Sequence, residues 1–326
     1  MINVKNVLPL PNNKITEKKL QPKCICCDAH EVLYVGVIPP VINFAGRRLD
    51  FPLAGGSLFK CSKCGVAFRY PRLEKEKLDA LYRLGNSENW QTASIARKDW
   101  QIACRWVNQH LPVGSSILDV GCFDGGFLKT FEKNYQSFGI EIHEVAGQKA
   151  QEAGIQVIGR DFASINEEES IFDAVTAFDV IEHTSNPLEF LKDMAKVTRD
   201  GGLVIVSTGN TDALTWKLLG SRYWYCSIGE HLSFISPDWC QRVGPTLGLK
   251  LKQVMRFTHA NVSWKQRMSE TVKNLFYAAT PRGFSLLRRI GFGGDEFRLH
   301  KEMLIQPPSW MSAKDHFICI FEKNVP

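Results

Sequence analysis

No stretch of this chain reaches the ~18 consecutive apolar residues that crossing a bilayer requires, so a membrane-spanning helix is excluded from the reading. The amino terminus, MINVKNVLPLPNNK, lacks the apolar core of a signal peptide, and a cytoplasmic location is the expectation. A strong charge of either sign is also missing. The 40 Lys+Arg stand against 34 Asp+Glu for a formal charge of +6, which argues against a nucleic-acid partner and leaves room for an acidic or phosphorylated small molecule. An evenly spread cysteine framework is absent too: five of the 10 cysteines fall within residues 24–64 and the others are scattered, which speaks against a disulfide scaffold. What is present is 326 residues at 44% hydrophobic content, enough to bury one large core or two modest ones.

Residues 1–22 are polar and carry Pro9, Pro11 and Pro22 with the basic stretch Lys14 to Lys19, a lead-in without chemistry of its own. Two C-x-x-C pairs follow. Thiolates three apart on a tight turn converge on one tetrahedral ion, so Cys24, Cys27, Cys61 and Cys64 are expected to bind a structural Zn2+ within an N-terminal module, residues 1–72. Cys26 is the spare thiol; buried reduced cysteines or a redox pair are the other readings. Leu73, Leu78, Leu81 and Leu84 predict a helix from about Glu74 to Leu84, stopped by Gly85. A second helical stretch over 88–110 carries Trp90, Trp100 and Trp106, which either line an acceptor pocket or pack the helix on a sheet. Together residues 73–111 make a helical linker or cap.

From Pro112 and Gly114 onward the pattern becomes α/β. Strands are expected at 115–120, 136–142, 155–159, 171–179, 202–208, about 249–257 and 316–322, with helical segments between the first six, the arrangement of a doubly wound parallel sheet. The stretch ILDVGCFDGGFL (117–128) reads as a buried strand, a glycine turn through Gly121, Gly125 and Gly126, and a helix start, with Asp119 just before the first glycine. Glu141 ends the second strand about 20 residues after Gly121, where a ribose diol is commonly held. Asp161 ends the third and precedes Phe162, a side chain able to cover a base. Each acid alone reads as a cap or a turn residue. Three at consecutive strand ends read as a ligand site, because open α/β sheets bind ligands there.

The segments LDVGC (118–122), GIEI (139–142), GRDF (159–162), FDAVTAFDVIEH (172–183), NPLEFLKDMAKVTRDGG (186–202) and HLSFIS (231–236) resemble the class I S-adenosylmethionine-dependent methyltransferases. The resemblance covers roughly 112–257. It implies a seven-stranded Rossmann-like sheet whose last strand, within 314–326, is antiparallel. It also implies S-adenosyl-L-methionine as cofactor, with Asp119, Gly121 and Cys122 at the methionine part, Glu141 at the ribose, Asp161 with Phe162 at the adenine, and Gly125, Ile142 and Asp179 in the same site. Phe123 departs from the small residue usual at its position. The leader FKCSKCGVAFRYPRLEKEKLDALY is similar to that of sugar and polysaccharide-cluster methyltransferases, implying O-methylation of a sugar, nucleotide sugar or other small hydroxylated or glycan acceptor.

Methyl transfer from a sulfonium needs alignment and removal of one proton, and a histidine suits that at neutral pH. His183 after the fourth strand and His231 at the head of HLSFIS are the candidates, His231 the preferred one because its loop is expected to face the acceptor. Asp179, Glu182 and His183 also resemble the acidic cluster of quinone-biosynthesis O-methyltransferases, which implies a divalent ion as a second version. Residues 220–230, with Tyr223, Trp224 and Tyr225, suit a sugar face or a packed loop. Residues 258–313 form an insertion with two helical pieces; it is read as a lid or a dimer contact, with peripheral membrane contact through 270–291 as the other reading. A quinone- or lipid-type O-methyltransferase, an RNA methyltransferase using the zinc module, and a noncatalytic cofactor-binding partner remain open alternatives, as does the oligomeric state.

Overall fold

The computed structural model describes residues 22–73, 77–78, 81–82, 97–131, 134–165, 172–258, 260–291 and 304–324. Strands β1 (Val32–Val37), β2 (Val41–Phe44), β3 (Arg47–Leu53), β4 (Ser57–Cys61) and β5 (Ala67–Tyr70) come first. Helix α1 (Lys98–His110) leads into β6 (Ser116–Val120), β7 (Gln136–Ile140), α2 (Glu144–Glu152), β8 (Gln156–Gly159), β9 (Phe172–Phe178), α3 (Pro187–Lys196) and β10 (Thr198–Gly209). Then follow α4 (Leu214–Leu219), β11 (Ser233–Phe234), α5 (Pro237–Val243), β12 (Leu249–Phe257), α6 (Trp264–Ala279), α7 (Pro281–Arg289) and β13 (His316–Lys323).

The main sheet has the order β12-β13-β10-β9-β6-β7-β8, and β13 alone runs antiparallel to its neighbours. This is the seven-stranded doubly wound sheet expected from the sequence. Alternation along each strand divides the core into two layers. Leu118, Val175, Val204 and Cys319 feed one face, while Ile117, Ala174, Ile205 and Ile318 feed the other. Both faces are apolar because helices cover both. Strand order reverses between β6 and β9, the place where such sheets open a crevice for ligands.

A second sheet, β1-β4-β5-β11, joins the two parts of the chain. Its fourth strand comes from far downstream: Ser233 and Phe234 pair with Phe68 and Ala67. Phe59 and Phe68 share a hydrophobic cluster with Leu118, Ile235 and Trp239 of the main fold. Arg69 is buried and reinforces this seam. Its Nε donates to His231 O (3.2 Å), Nη1 to Gly55 O (3.0 Å), and Nη2 to Cys226 O and Ile228 O (both 2.8 Å). Ser236 caps α5, accepting the Trp239 N–H at 3.2 Å, as a serine before proline at a helix start is placed to do.

The helix expected over 74–84 lies largely outside the described residues, although Lys77, Leu78, Leu81 and Tyr82 are helical. Trp90 is also outside them. Trp100 packs in the core against Phe127 and Phe178, at 6.0 and 6.4 Å between ring centroids, so it lines no acceptor pocket; Trp106 stacks on His110 at 4.3 Å.

Candidate functional site

The glycine turn forms as its composition dictates. Gly121 has φ +74°, and a Cβ there would meet Val180 at 2.6 Å. Phe123 has φ +50°, a left-handed conformation that glycine adopts more readily. Its N–H donates to Glu141 Oε2 at 2.8 Å while the His143 N–H donates to Oε1 at 2.7 Å, so the carboxylate that ends the second strand is held at both oxygens. Burial raises the Glu141 carboxyl above its ordinary value despite these donors. Asp119 is buried and accepts the Thr176 hydroxyl at 2.7 Å; burial pushes it up to about 7. Two buried carboxylates one strand apart suit a ligand that brings positive charge and hydroxyl donors.

The other expected cofactor residues differ in what they present. Ile142 is exposed beyond β7, and its carbonyl accepts from Arg160 at 2.8 Å. Asp161 is exposed and takes the Ser164 hydroxyl at 3.1 Å, while Phe162 is half-buried against Phe190 at 5.6 Å. Gly125, at φ +77°, backs onto Ile155, which a Cβ would approach to 2.8 Å. Cys122 turns its sulfur toward Gly139, 2.4 Å from where a Cβ on that glycine would sit, and its N–H donates to Ile140 O.

Asp179, just after β9, has φ +55° and an ion pair with Arg97 at 2.7 Å. Arg97 also holds Asp99, which accepts the Ser207 hydroxyl at 3.1 Å. This bridge between α1 and the switch point was not foreseen: Arg97 sits in a polar stretch where spacing gives no signal.

Asp179 borders a cavity of about 260 Å3 whose wall includes Glu182, Tyr225, His231, Asp315 and His316. Tyr225 donates its hydroxyl to Glu182 Oε1, while Glu182 Oε2 is buried and finds no hydrogen-bond partner among the described residues. Burial first, then the nearby charge of Asp179, pushes Glu182 up to about 7. His231 is buried on the cavity wall. Its Nδ1 lies 3.2 Å from Tyr225 O, a carbonyl that can only accept, so the proton sits on Nδ1 and Nε2 is the basic nitrogen. Burial lowers its pKa well below that of an ordinary histidine. His183 lies edge-on to it, 4.9 Å between centroids, with Nδ1 3.2 Å from the Tyr82 hydroxyl, and does not line the cavity. Asp315 and His316 pair at 2.9 Å; the adjacent acid and histidine at the head of the last strand were the available sequence signal.

Ligand atoms of Glu182, His183 and His231 all lie within 4.8 Å of one another. His231 therefore takes the place that the sequence reading gave Asp179, whose carboxylate goes to Arg97. A second cavity of about 770 Å3 shares Trp224 and Ile228 with the first and extends between β2, α6, α7 and residues 306–309.

The four cysteines of the two C-x-x-C pairs also converge. Sγ atoms of Cys24 and Cys64 are 3.6 Å apart and those of Cys27 and Cys61 are 3.7 Å apart. The edge of a tetrahedron with metal–sulfur bonds of about 2.3 Å is about 3.8 Å, so the spacing fits one zinc ion. Backbone N–H groups of Cys26 and Cys64 point at Cys24 Sγ and Cys61 Sγ, each at 3.4 Å, which favours thiolates.

Residues 95–254 match the model of a methyltransferase domain. The chain is 26% identical over 183 residues to a ubiquinone biosynthesis O-methyltransferase of Stutzerimonas stutzeri, covering 51% of this chain and 78% of the relative. It is 28% identical over 196 residues to the protein of the same name from Thiobacillus denitrificans, covering 55% and 83%. A Haloferax volcanii methyltransferase solved with its Trm112 activator overlaps 70% of this chain and 91% of its own at 13% identity and a TM-score of 0.49, a likeness that adds nothing to the topology above. With the family match laid over this sheet and crevice, the chain carries a class I methyltransferase domain and is an S-adenosylmethionine-dependent methyltransferase.

Proposed function

We propose that the protein O-methylates a hydroxyl of a small ring acceptor, a phenol of the quinone-precursor type, in the 260 Å3 cavity, with His231 as base. The observation that carries this reading is the orientation of His231, whose Nδ1 is engaged by a carbonyl and whose ring forms part of the cavity wall. The names of the two O-methyltransferase relatives support the acceptor class. A sugar acceptor, expected from the knuckle leader, has no counterpart among those relatives.

Bound S-adenosylmethionine supplies a sulfonium methyl to a nucleophile aligned in line with it. Asp119 and Glu141 are the residues that would hold its cationic and hydroxyl groups, and Asp161 with Phe162 those that would meet the adenine. His231 accepts the hydroxyl proton at Nε2. Because burial disfavours the charged ring, the nearby charge of Asp179 is needed to stabilise it as the proton arrives. Tyr225 fixes Glu182, and His183 braces the His231 ring edge-on.

The convergence of Glu182, His183 and His231 favours one further version, in which those residues hold a divalent ion that would lower the pKa of the acceptor hydroxyl. In the N-terminal module, Cys24, Cys27, Cys61 and Cys64 are assigned a structural zinc, with all four positions of the ion taken by thiolates.

The test is transfer of labelled methyl from S-adenosylmethionine to dihydroxybenzoates, nucleotide sugars and RNA, with and without a chelator. Labelling of the dihydroxybenzoates alone supports the reading; labelling confined to nucleotide sugars or RNA overturns the acceptor class. Loss of labelling on chelation, restored by a divalent ion while zinc content is unchanged, selects the metal-assisted version.

A further inference from the structure

Helix α6 has two faces of opposite kind. Glu270, Asn274 and Tyr277 turn inward and are buried, with Glu270 accepting from Gln266 Nε2 and the Ser312 N–H, both at 2.9 Å. On the far side Trp264, Met268, Val272 and Leu275, spaced i, i+4, i+8 and i+11, form one continuous apolar stripe with Phe276 at its edge. These side chains are 72%, 58%, 60% and 50% exposed, far more than a helix facing its own core would show. Leu286 of α7 adds a further exposed apolar side chain at 59%. A contiguous patch of this kind is covered by something in working conditions.

Charge says what covers it. Between residues 264 and 289 the chain has six basic residues and a single acid. The acid, Glu270, is buried and spoken for, and one of the bases, Arg288, is buried with its guanidinium on the carbonyls of Leu304 and Gln306. The other five, Lys265, Arg267, Lys273, Arg282 and Arg289, are exposed. On the helical wheel Arg267 flanks the α6 stripe, where a long side chain reaches past an immersed apolar face to anionic headgroups, while Lys273, on the other side, borders the 770 Å3 cavity. Lys265 lies 6.0 Å from the Trp264 ring, an aromatic of the kind that settles at the lipid interface.

We propose that the outward face of α6, extended by α7, docks on an anionic lipid surface and lies in its plane. No helix among the described residues is long and apolar enough to cross a membrane, so the attachment is peripheral. The inward face of α6 and α7 contributes Gln266, Ser269 and Phe284 to the 770 Å3 cavity, and docking therefore brings that cavity to within about one helix diameter, ~10 Å, of the lipid. An amphiphilic acceptor dissolved in the lipid would be presented there. The docking itself does not depend on which acceptor is methylated.

The experiment is co-sedimentation of the full chain with vesicles of phosphatidylcholine alone and of phosphatidylcholine mixed with phosphatidylglycerol, alongside its oligomeric state without vesicles. The protein is expected to pellet with the mixed vesicles only and to be released by salt. An Arg267→Gln/Arg289→Gln variant is expected to bind on the order of tenfold more weakly, and a Val272→Ser/Leu275→Ser variant to lose binding, both keeping wild-type affinity for S-adenosylhomocysteine because these exposed residues lie outside the cofactor crevice. Equal pelleting with neutral vesicles overturns the anionic surface. No pelleting overturns the proposal altogether, as does a dimer that Val272→Ser/Leu275→Ser converts to monomer while vesicles bind nothing. If S-adenosylhomocysteine fails to bind the wild type, the fault lies with the cofactor assignment and not with the docking face.

Discussion

The Phe123 backbone N–H donates to Glu141 Oε2 over 2.8 Å, so the least typical residue of the glycine turn locks the carboxylate at the end of the neighbouring strand. A left-handed φ of +50° is what aims that N–H. Phe123→Gly should relieve about 1 kcal/mol of backbone strain and keep the hydrogen bond, while Phe123→Val should cost more than that, because branching at Cβ crowds the same conformation. Denaturant unfolding of the two variants measures the difference, and cofactor affinity should follow the hydrogen bond in Phe123→Gly.

Asp119 should set cofactor affinity against stability. Its carboxyl stands at about 7 in the folded chain against 3.8 for a free one. Between those values the unfolded chain has already released the proton that the folded chain keeps, so stability falls as pH rises through the window and levels off above about 7. Asp119→Asn removes this slope and should stabilise the free protein at pH 8 by roughly 2–4 kcal/mol while weakening S-adenosylhomocysteine binding. Thermal unfolding against pH, with calorimetry of the same variant, checks both halves.

Much of this arrangement is legible in the sequence. Apolar strands alternating with helices, the glycine turn before Phe127, and Ser236 ahead of Pro237 are local signals with local causes, and the strands, the turn and the capped helix form where those signals stand, whereas the helix expected after the glycine turn is only a 3-10 turn, Leu128–Phe131. What the sequence hides depends on contacts between distant residues. β11 is two residues long and has no periodicity to detect, and its pairing with β5 exists only once the sheets meet. The difference between His183 and His231 is likewise one of which ring reaches the cavity, which spacing along the chain does not encode.

Arg69 links the cysteine module to the loop that carries His231. Burial brings its guanidinium down to about 10, still protonated at neutral pH, and four carbonyls depend on it. Arg69→Met should destabilise the chain by about 3–5 kcal/mol and loosen residues 226–231. Faster amide exchange in that loop than in β6 would show it.

Zinc removal should act through the same seam. One zinc per chain is expected by elemental analysis, and Cys61→Ser should abolish it and lower the melting temperature. A chain that lacks zinc when purified without chelators, yet keeps full stability, would refute the assignment.

The most direct test of His231 as the base is the turnover of His231→Ala with a dihydroxybenzoate acceptor, read beside its affinity for S-adenosylhomocysteine. A loss of at least about a hundredfold in turnover with unchanged cofactor affinity is expected. Near-normal turnover in a folded variant would contradict the account.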